Sequence, residues 1–178
     1  MKTRSIMIVG VGGQGSLLAS RIIGNVLLSQ GFDVKVSEVH GMSQRVTYVK
    51  YGSEVCSPVV EKGEADIIIS FEQLEAARYV SYLKKGGHII TSTQQIDPMP
   101  VITGAAVYPE DIIGKLKAEG VDVIAVDALA LAEQAGTAKA SNVVLMGVVS
   151  TKMAFDEDVW QKALENCVPA KFLELNKK

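Results

Sequence analysis

Cysteine and histidine are scarce, with Cys56, Cys167, His40 and His88 the complete set in 178 residues. Two thiols do not build a disulfide framework. They also fall short of the four thiolates that an iron–sulfur cluster usually takes. With only two imidazoles beside them, no structural zinc spacing emerges, and no metal site is expected on this chain. Aromatic residues make up 6 % of the sequence, too few for a base-stacking surface. Basic residues are not in excess: eighteen stand against twenty acidic ones, for a net charge of −2. That balance gives nucleic acid or an anionic membrane nothing to bind. No apolar run approaches the roughly 18–20 residues of a membrane span, and the N-terminus does not read as a signal peptide. The expectation is a soluble cytoplasmic protein without repeats, low-complexity tracts or linkers.

What is present is ordinary globular material, 48 % apolar and 21 % charged. The length suits one domain over residues 1–178. Short apolar runs alternate with longer helical stretches. Strands are predicted at Ser5–Val9, Val34–Val39, Asp66–Phe71, His88–Ser92 and Val121–Val126, and two more at Val46–Tyr51 and Glu54–Val60 across a turn at Gly52-Ser53. Helices are predicted at Gly15–Gln30 with Gly31 as its stop, Glu72–Lys85 closed by Gly86-Gly87, Pro109–Glu119, Ala128–Ala135, Ser141–Phe155 capped by Ser141 or Asn142, and Asp156–Asn166. The stretch 96–104, with Pro98 and Pro100, reads as loop. Alternation of this kind predicts an α/β fold: a single Rossmann-like domain, its mostly parallel sheet flanked by helices. Ligands of such sheets sit outside the carboxyl ends of the strands, which directs attention to the loops after Val9, Val39, Phe71 and Ser92.

The first of these loops carries Gly10-Val11-Gly12-Gly13-Gln14-Gly15, a G-x-G-x-x-G turn between a strand and a helix, with Ser16 beside it as a further ligand-binding candidate. Gly10 permits the tight turn, Gly12 lets backbone approach a ligand, and Gly15 allows close helix–strand packing. The helix N-terminus offers free N–H groups and about half a positive charge to an anion. The same glycines equally serve tight packing alone, and Gln14 puts an amide where dinucleotide binders carry something small. A dinucleotide reading also wants an acid at the end of the second strand, for which Glu38 is the candidate.

The second loop, Glu38-Val39-His40-Gly41-Met42-Ser43-Gln44-Arg45, gathers an acid, an imidazole, a hydroxyl, an amide and a guanidinium. Arg45 suits bidentate capture of a carboxylate or phosphate, and His40 suits proton transfer or hydrogen-bond donation. The plainer alternative is a solvated loop whose charges pair locally.

Taken together, the glycine turn and this second loop resemble the gamma-type subunits of the 2-oxoacid:ferredoxin oxidoreductases. Within that family the likeness is nearest the small (beta) subunits of the indolepyruvate branch. The stretches 57–66, 71–79 and Asn142-Val143-Val144-Leu145-Met146-Gly147 are also similar, so the resemblance spans nearly the whole chain. It implies a supporting subunit of an enzyme that oxidatively cleaves a 2-oxoacid, here indolepyruvate or another aryl pyruvate. Such an enzyme makes an acyl-CoA and CO₂ and passes electrons to ferredoxin. Thiamine diphosphate and iron–sulfur clusters would belong to a large partner subunit. The sequence agrees, having no Gly-Asp-Gly thiamine-diphosphate motif and too few cysteines. The chain alone would be inactive, with CoA at the interface between the two subunits. Gly12, Gly13, Gln14 and Gly15 would offer donors to its pyrophosphate, and His40 and Arg45 would hold an anionic group. One departure stands out. The family generally continues after Gln-Arg with a Gly-Gly-Ser-like segment, whereas here Arg45 runs directly into Val46, which shortens the loop. The residues by themselves leave a second reading open, an independent dinucleotide-binding Rossmann protein with Glu38 on a ribose.

Other positions read as structural. Glu72 is expected at a helix start, near the positive end of the dipole, in preference to an acid/base pair with Asp66. Asp127 is expected to cap the next helix. Cys56 is expected as a small buried hydrophobe in a strand. Tyr48 and Tyr51 are expected as strand residues.

Overall fold

The computed structural model describes residues 2–41 and 44–177. Six strands form one sheet in the order β2-β3-β1-β4-β5-β6. They are β1 (Arg4–Val11), β2 (Asp33–His40), β3 (Gln44–Gly52), β4 (Ala65–Ser70), β5 (Leu83–Ser92) and β6 (Asp122–Val126). β1, β4, β5 and β6 pair in parallel, while β3 runs antiparallel to both β1 and β2. The sheet is therefore mostly parallel, as expected, with a β2–β3 hairpin laid along one side.

Strands buried on both faces need apolar residues at every position, and Ile6-Met7-Ile8-Val9 and Ile67-Ile68-Ile69 supply them. Alternate residues feed two cores. Ile6, Ile8, Ile69 and Ile90 face α1 (Ser16–Ser29), α6 (Ser141–Ser150) and α7 (Glu157–Cys167). Met7, Val9, Ile68 and Ile89 face α2 (Gln73–Tyr79) and α4 (Ile112–Ala118). In α1 the spacing of Ala19, Ile22, Ile23, Val26 and Leu27 makes one fully buried face. Each of its larger side chains contributes roughly 1.5–3 kcal/mol by leaving water. The helix ends at Gln30, and Gly31 follows with φ +79°, as the sequence suggests. α5 (Ala128–Ala135) starts at Asp127, whose carboxylate accepts from the Ala130 N–H at 3.0 Å. Among the described residues no helix is long and apolar enough to cross a membrane.

Several boundaries differ from expectation. The stretch 54–60 forms no strand: β3 already has a neighbour on each side, so no sheet edge is left beside it. Cys56 consequently is exposed, not buried in a strand. β3 itself begins at Gln44, which places Arg45 inside the strand and not in a loop. The helix expected over Glu72–Lys85 stops at Tyr79; a 3₁₀ turn (Val80–Tyr82) intervenes and β5 starts at Leu83. Gly86 and Gly87 do not close a helix but lie within β5, where the pairing with β4 shifts register. A Cβ on Gly87 would come within 2.8 Å of the Asp66 carbonyl oxygen. α4 begins at Ile112 and not at Pro109, because Asp111 accepts from the Gly114 N–H and fixes the first turn. α6 ends at Ser150, where the Ser150 and Thr151 hydroxyls donate back to the carbonyls of Gly147 and Val148. Neither Ser141 nor Asn142 caps that helix; its N-cap is Ala140. The stretch 96–104 is not all loop: Pro98 and Pro100 flank the start of a short helix, α3 (Met99–Ile102), where proline is tolerated, and a further short helix, α8 (Ala170–Asn176), follows Pro169.

Candidate functional site

The carboxyl ends of β1, β2, β4, β5 and β6 and the amino end of β3 share one rim of the sheet. Gly10 lies within β1, and Gly12 through Gly15 turn the chain into α1, where Ser16 is buried. Gly13 and Gly15 take φ +91° and +83°, a region costly for any residue with a Cβ. No side chain caps α1. The Leu18 N–H donates to the Gly15 carbonyl at 3.1 Å, which leaves the N–H groups of Ser16 and Leu17, ahead of the helix's own bonds, at the rim.

Gln14 explains its own presence. Its Oε1 accepts from the Val11 N–H at 2.8 Å, and its Nε2 donates to the Phe71 carbonyl at 3.2 Å and to Gln94 Oε1 at 3.4 Å. The amide thus ties the glycine turn to the ends of β4 and β5. Gly10 makes room for it: a Cβ there would meet Gln14 Oε1 at 2.8 Å and the Phe71 ring at 3.0 Å. Gly15 is fastened from the other side by Asn142, whose Nδ2 donates to the Gly15 carbonyl at 3.3 Å. Asn142 and Gln94 belong to the site's framework without any local sequence pattern to announce them, since each acts across a long stretch of chain.

The register places His40, Arg45 and Gly10 in one row across β2, β3 and β1. Residues directly opposite in an antiparallel pair share a face, so Arg45 emerges beside Gly10 on the α1 side of the sheet. Glu38 lies two positions along on the same face, where its Oε1 accepts from the Ser20 hydroxyl at 3.5 Å. Gly41 continues from β2, its N–H donating to the Gln44 carbonyl at 3.0 Å. Met42 and Ser43 lie outside the described residues, as does the side chain of His40. The structure therefore brings Arg45 to the glycine turn and leaves Glu38 beyond an intervening strand. Two strand spacings, about 10 Å, separate the strand of Glu38 from β1. A ribose-binding acid would sit on a strand next to β1, a position that β3 holds here.

Behind the rim, Glu72 and Glu75 are both buried, at 1 % and 4 % exposure. Glu72 caps α2, as expected of a helix start, with Oε2 accepting from the Glu75 N–H at 3.0 Å. Its other oxygen accepts from the Ile96 N–H at 3.3 Å and from the Tyr108 hydroxyl. Burial, and then the bond to Glu72, push the Tyr108 phenol well above its ordinary range, so it stays a donor. Burial also raises the Glu75 carboxyl, against the opposing pull of Arg78 at 3.0 Å. Asp66 plays no part here, since it binds the Ser5 N–H and Lys84 near the start of β4. Among the described residues no His, Cys, Asp and Glu side chains group as a metal site. A cavity of about 880 Å³ is lined by residues of α5 to α8 such as Leu131, Val144 and Trp160, and by none of the glycine turn.

An open, mostly parallel sheet flanked by helices, with a glycine turn cross-tied by side-chain amides at its first helix, defines a Rossmann-like α/β domain. The comparisons narrow that class. The family model for pyruvate ferredoxin/flavodoxin oxidoreductase matches residues 5–178, and the chain belongs to that family. It is 42 % identical to indolepyruvate oxidoreductase subunit IorB of Thermococcus kodakarensis, over 99 % of this chain and 92 % of that protein. The IorB subunit of Pyrococcus horikoshii is 40 % identical over 100 % of this chain and 93 % of its own length. Among solved structures, the gamma subunit of a keto/oxoacid ferredoxin oxidoreductase from Geobacter sulfurreducens shares the fold with a TM-score of 0.75 at 20 % identity, covering 99 % of this chain and 91 % of that one. The 2-oxoglutarate:ferredoxin oxidoreductase of Magnetococcus marinus, solved with 2-oxoglutarate, coenzyme A and succinyl-CoA bound, also gives 0.75 at 17 % identity, and there the match covers 99 % of this chain but 29 % of that longer chain.

Proposed function

We propose that this chain, acting as one domain, is the small subunit of a 2-oxoacid:ferredoxin oxidoreductase that converts indolepyruvate or another aryl pyruvate to an acyl-CoA and CO₂. The observation that carries the reading is the end-to-end likeness, at about 40 % identity, to subunits named for indolepyruvate oxidoreductase. Thiamine diphosphate and the iron–sulfur clusters belong to the large partner subunit. The donor chemistry of this chain does not fit them, because its thiols number two and one of them, Cys56, stands exposed in an irregular segment.

CoA fits the rim better. Its pyrophosphate needs N–H donors and a cation. The first turn of α1, the open face of Gly13, with nothing within 4 Å of its Cβ position, and Arg45 beside Gly10 supply them. In this role Gly12, Gly13 and Gly15 bind through backbone, Arg45 neutralises charge, and Gln14 and Asn142 hold the turn in shape. The CoA complex of the Magnetococcus marinus relative, which shares the fold, supports a CoA-using reaction. Carbon chemistry and electron transfer to ferredoxin remain with the partner.

Oxygen-free affinity purification of the chain from its own cells tests this reading. A large co-purifying subunit that brings iron, sulfide and thiamine diphosphate, and CoA-dependent oxidation of indolepyruvate by the complex, are expected. Oxidation of a 2-oxoacid by the chain alone would overturn the division of labour. A melting temperature raised by NADH but not by CoA would favour an independent dinucleotide-binding protein.

A further inference from the structure

We infer that Glu72 is a positioning residue for the glycine turn, holding the corner that anchors Gln14; the inference rests on the reading that this turn meets the pyrophosphate end of CoA.

A helix cap needs one bond from a side chain to a first-turn N–H. Glu72 makes that bond to Glu75 and then two more that do nothing for the helix, to the Ile96 N–H and the Tyr108 hydroxyl. Its donors come from three segments: the first turn of α2, the chain leaving β5 and the chain approaching α4. At 1 % exposure the carboxylate is held by these neutral donors in a water-free setting, where each bond is strong and each loss expensive.

Both outer attachments of the Gln14 amide are neighbours of atoms that Glu72 grips. Phe71, whose carbonyl accepts from Gln14 Nε2, precedes Glu72 in the chain, and its own N–H is fixed to the Val9 carbonyl at 3.1 Å. Gln94, which accepts from Gln14 through its side chain, lies two residues before Ile96, and its carbonyl accepts from the Gln73 N–H at 3.2 Å. A shift of the corner at Phe71–Gln73 therefore moves both acceptors of Gln14 Nε2. Gln14 in turn carries the Val11 N–H and fills the space above Gly10. The path from a buried acid to the turn is short, alternating hydrogen bonds with one or two residues of chain.

The test uses the full chain assembled with its large subunit, measuring KM for CoA and kcat well below the unfolding temperature. Glu72→Gln keeps the shape but presents an NH₂ to one of the three donors. It is expected to raise KM for CoA roughly fivefold, the worth of one hydrogen bond, with kcat nearly unchanged. Tyr108→Phe, which removes one donor and leaves the carboxylate, should raise KM in the same direction by about twofold. A merely structural Glu72 would instead reduce the yield of assembled enzyme and leave KM alone. Gly13→Ala, which perturbs the turn backbone directly, separates the two levels of the argument. Raised KM in Gly13→Ala with unchanged KM in Glu72→Gln overturns the positioning role alone. Unchanged KM in all three overturns the CoA reading and the positioning role with it. If Glu72→Gln does not assemble, Tyr108→Phe decides, and an unchanged KM there overturns the inference.

Discussion

The two sides of the rim are built differently. On the β4–β5 side, Glu72 with Tyr108 and Gln14 with Gln94 form two buried or part-buried pairs that join segments far apart in sequence. On the β2–β3 side, a hairpin carries Glu38 and Arg45; β3 ties it to β1, while β2 is the sheet edge, with Val36 and Val39 at 45 % and 50 % exposure. The first side is a fixed wall and the second an arm at the margin of the sheet. In the proposed role, a subunit that presents donors to an anion while meeting a partner would use both: rigid backbone would set the position of the ligand, and a charged arm would reach what the wall cannot.

If the comparison is sound, damage to the wall costs both stability and CoA affinity, whereas damage to the arm costs affinity with stability kept. Glu72→Ala should be the most harmful single change. It strands three donors in a buried setting, at a cost of roughly 3–5 kcal/mol in urea unfolding. A loss below about 1 kcal/mol would mean that water or rearranged backbone replaces the carboxylate, and the wall would not be rigid.

Gly15→Ala and Gly13→Ala sharpen the picture within the turn itself. Both positions have positive φ, but a Cβ at Gly15 would come within 2.3 Å of Asn142 Nδ2, whereas nothing lies within 4 Å at Gly13. Alanine at Gly13 should lose about 1 kcal/mol from backbone strain, and at Gly15 roughly 2–3 kcal/mol because the Asn142 contact is also disrupted. Equal losses would show that Asn142 moves aside freely.

On the arm, Arg45→Ala should change unfolding free energy by less than about 1 kcal/mol yet raise KM for CoA roughly tenfold in the assembled enzyme, as expected for one charge-assisted contact. A large stability loss with unchanged KM would make Arg45 a packing residue and move the anion site elsewhere.

The α/β class, all six strands and the cap residues Glu72 and Asp127 are legible because each is written in a local pattern: β-branched runs, helical spacing, a polar residue at a helix start. The family likeness was legible because two loops matched at once. The strand β3 is legible at Val46–Tyr51, but its antiparallel place between β1 and β2 is not, since a strand's pairing partner is decided by the whole sheet. The same limit hid the wall. Tyr108 and Glu72 are 36 positions apart, and Gln14 and Gln94 are 80 apart, so no window of sequence contains either pair. Gln14 looked anomalous for a dinucleotide turn, and that anomaly was the one local trace of the cross-tie. Gly86-Gly87 misled for the converse reason: a glycine pair that commonly ends a helix here admits a register shift inside a strand.

The smallest predicted effect concerns Glu75, beside the wall. The groups facing it are Glu72, Arg78 and Tyr79, and one of its own oxygens, Oε2, is buried without a partner. Burial holds its carboxyl above the ordinary range, with the Glu72 charge adding to the rise and Arg78 opposing it. Over the pH window between its unfolded and folded values, the folded protein keeps a proton that the unfolded chain has lost. The contribution of this group to stability is therefore complete below the unfolded value near 4.5 and declines as pH rises through the folded one. Glu75→Gln stays neutral throughout. The stability of the variant relative to the parent should climb across that window and then level off. Because Arg78 is 43 % exposed, loss of that ion pair subtracts little from the trend. Paired urea titrations from pH 4 to 8 measure the difference directly. A difference that stays flat, or that falls with rising pH, would mean the carboxylate is accommodated in its buried site without penalty, and the polar wall would then extend one residue further along α2 than its hydrogen bonds indicate.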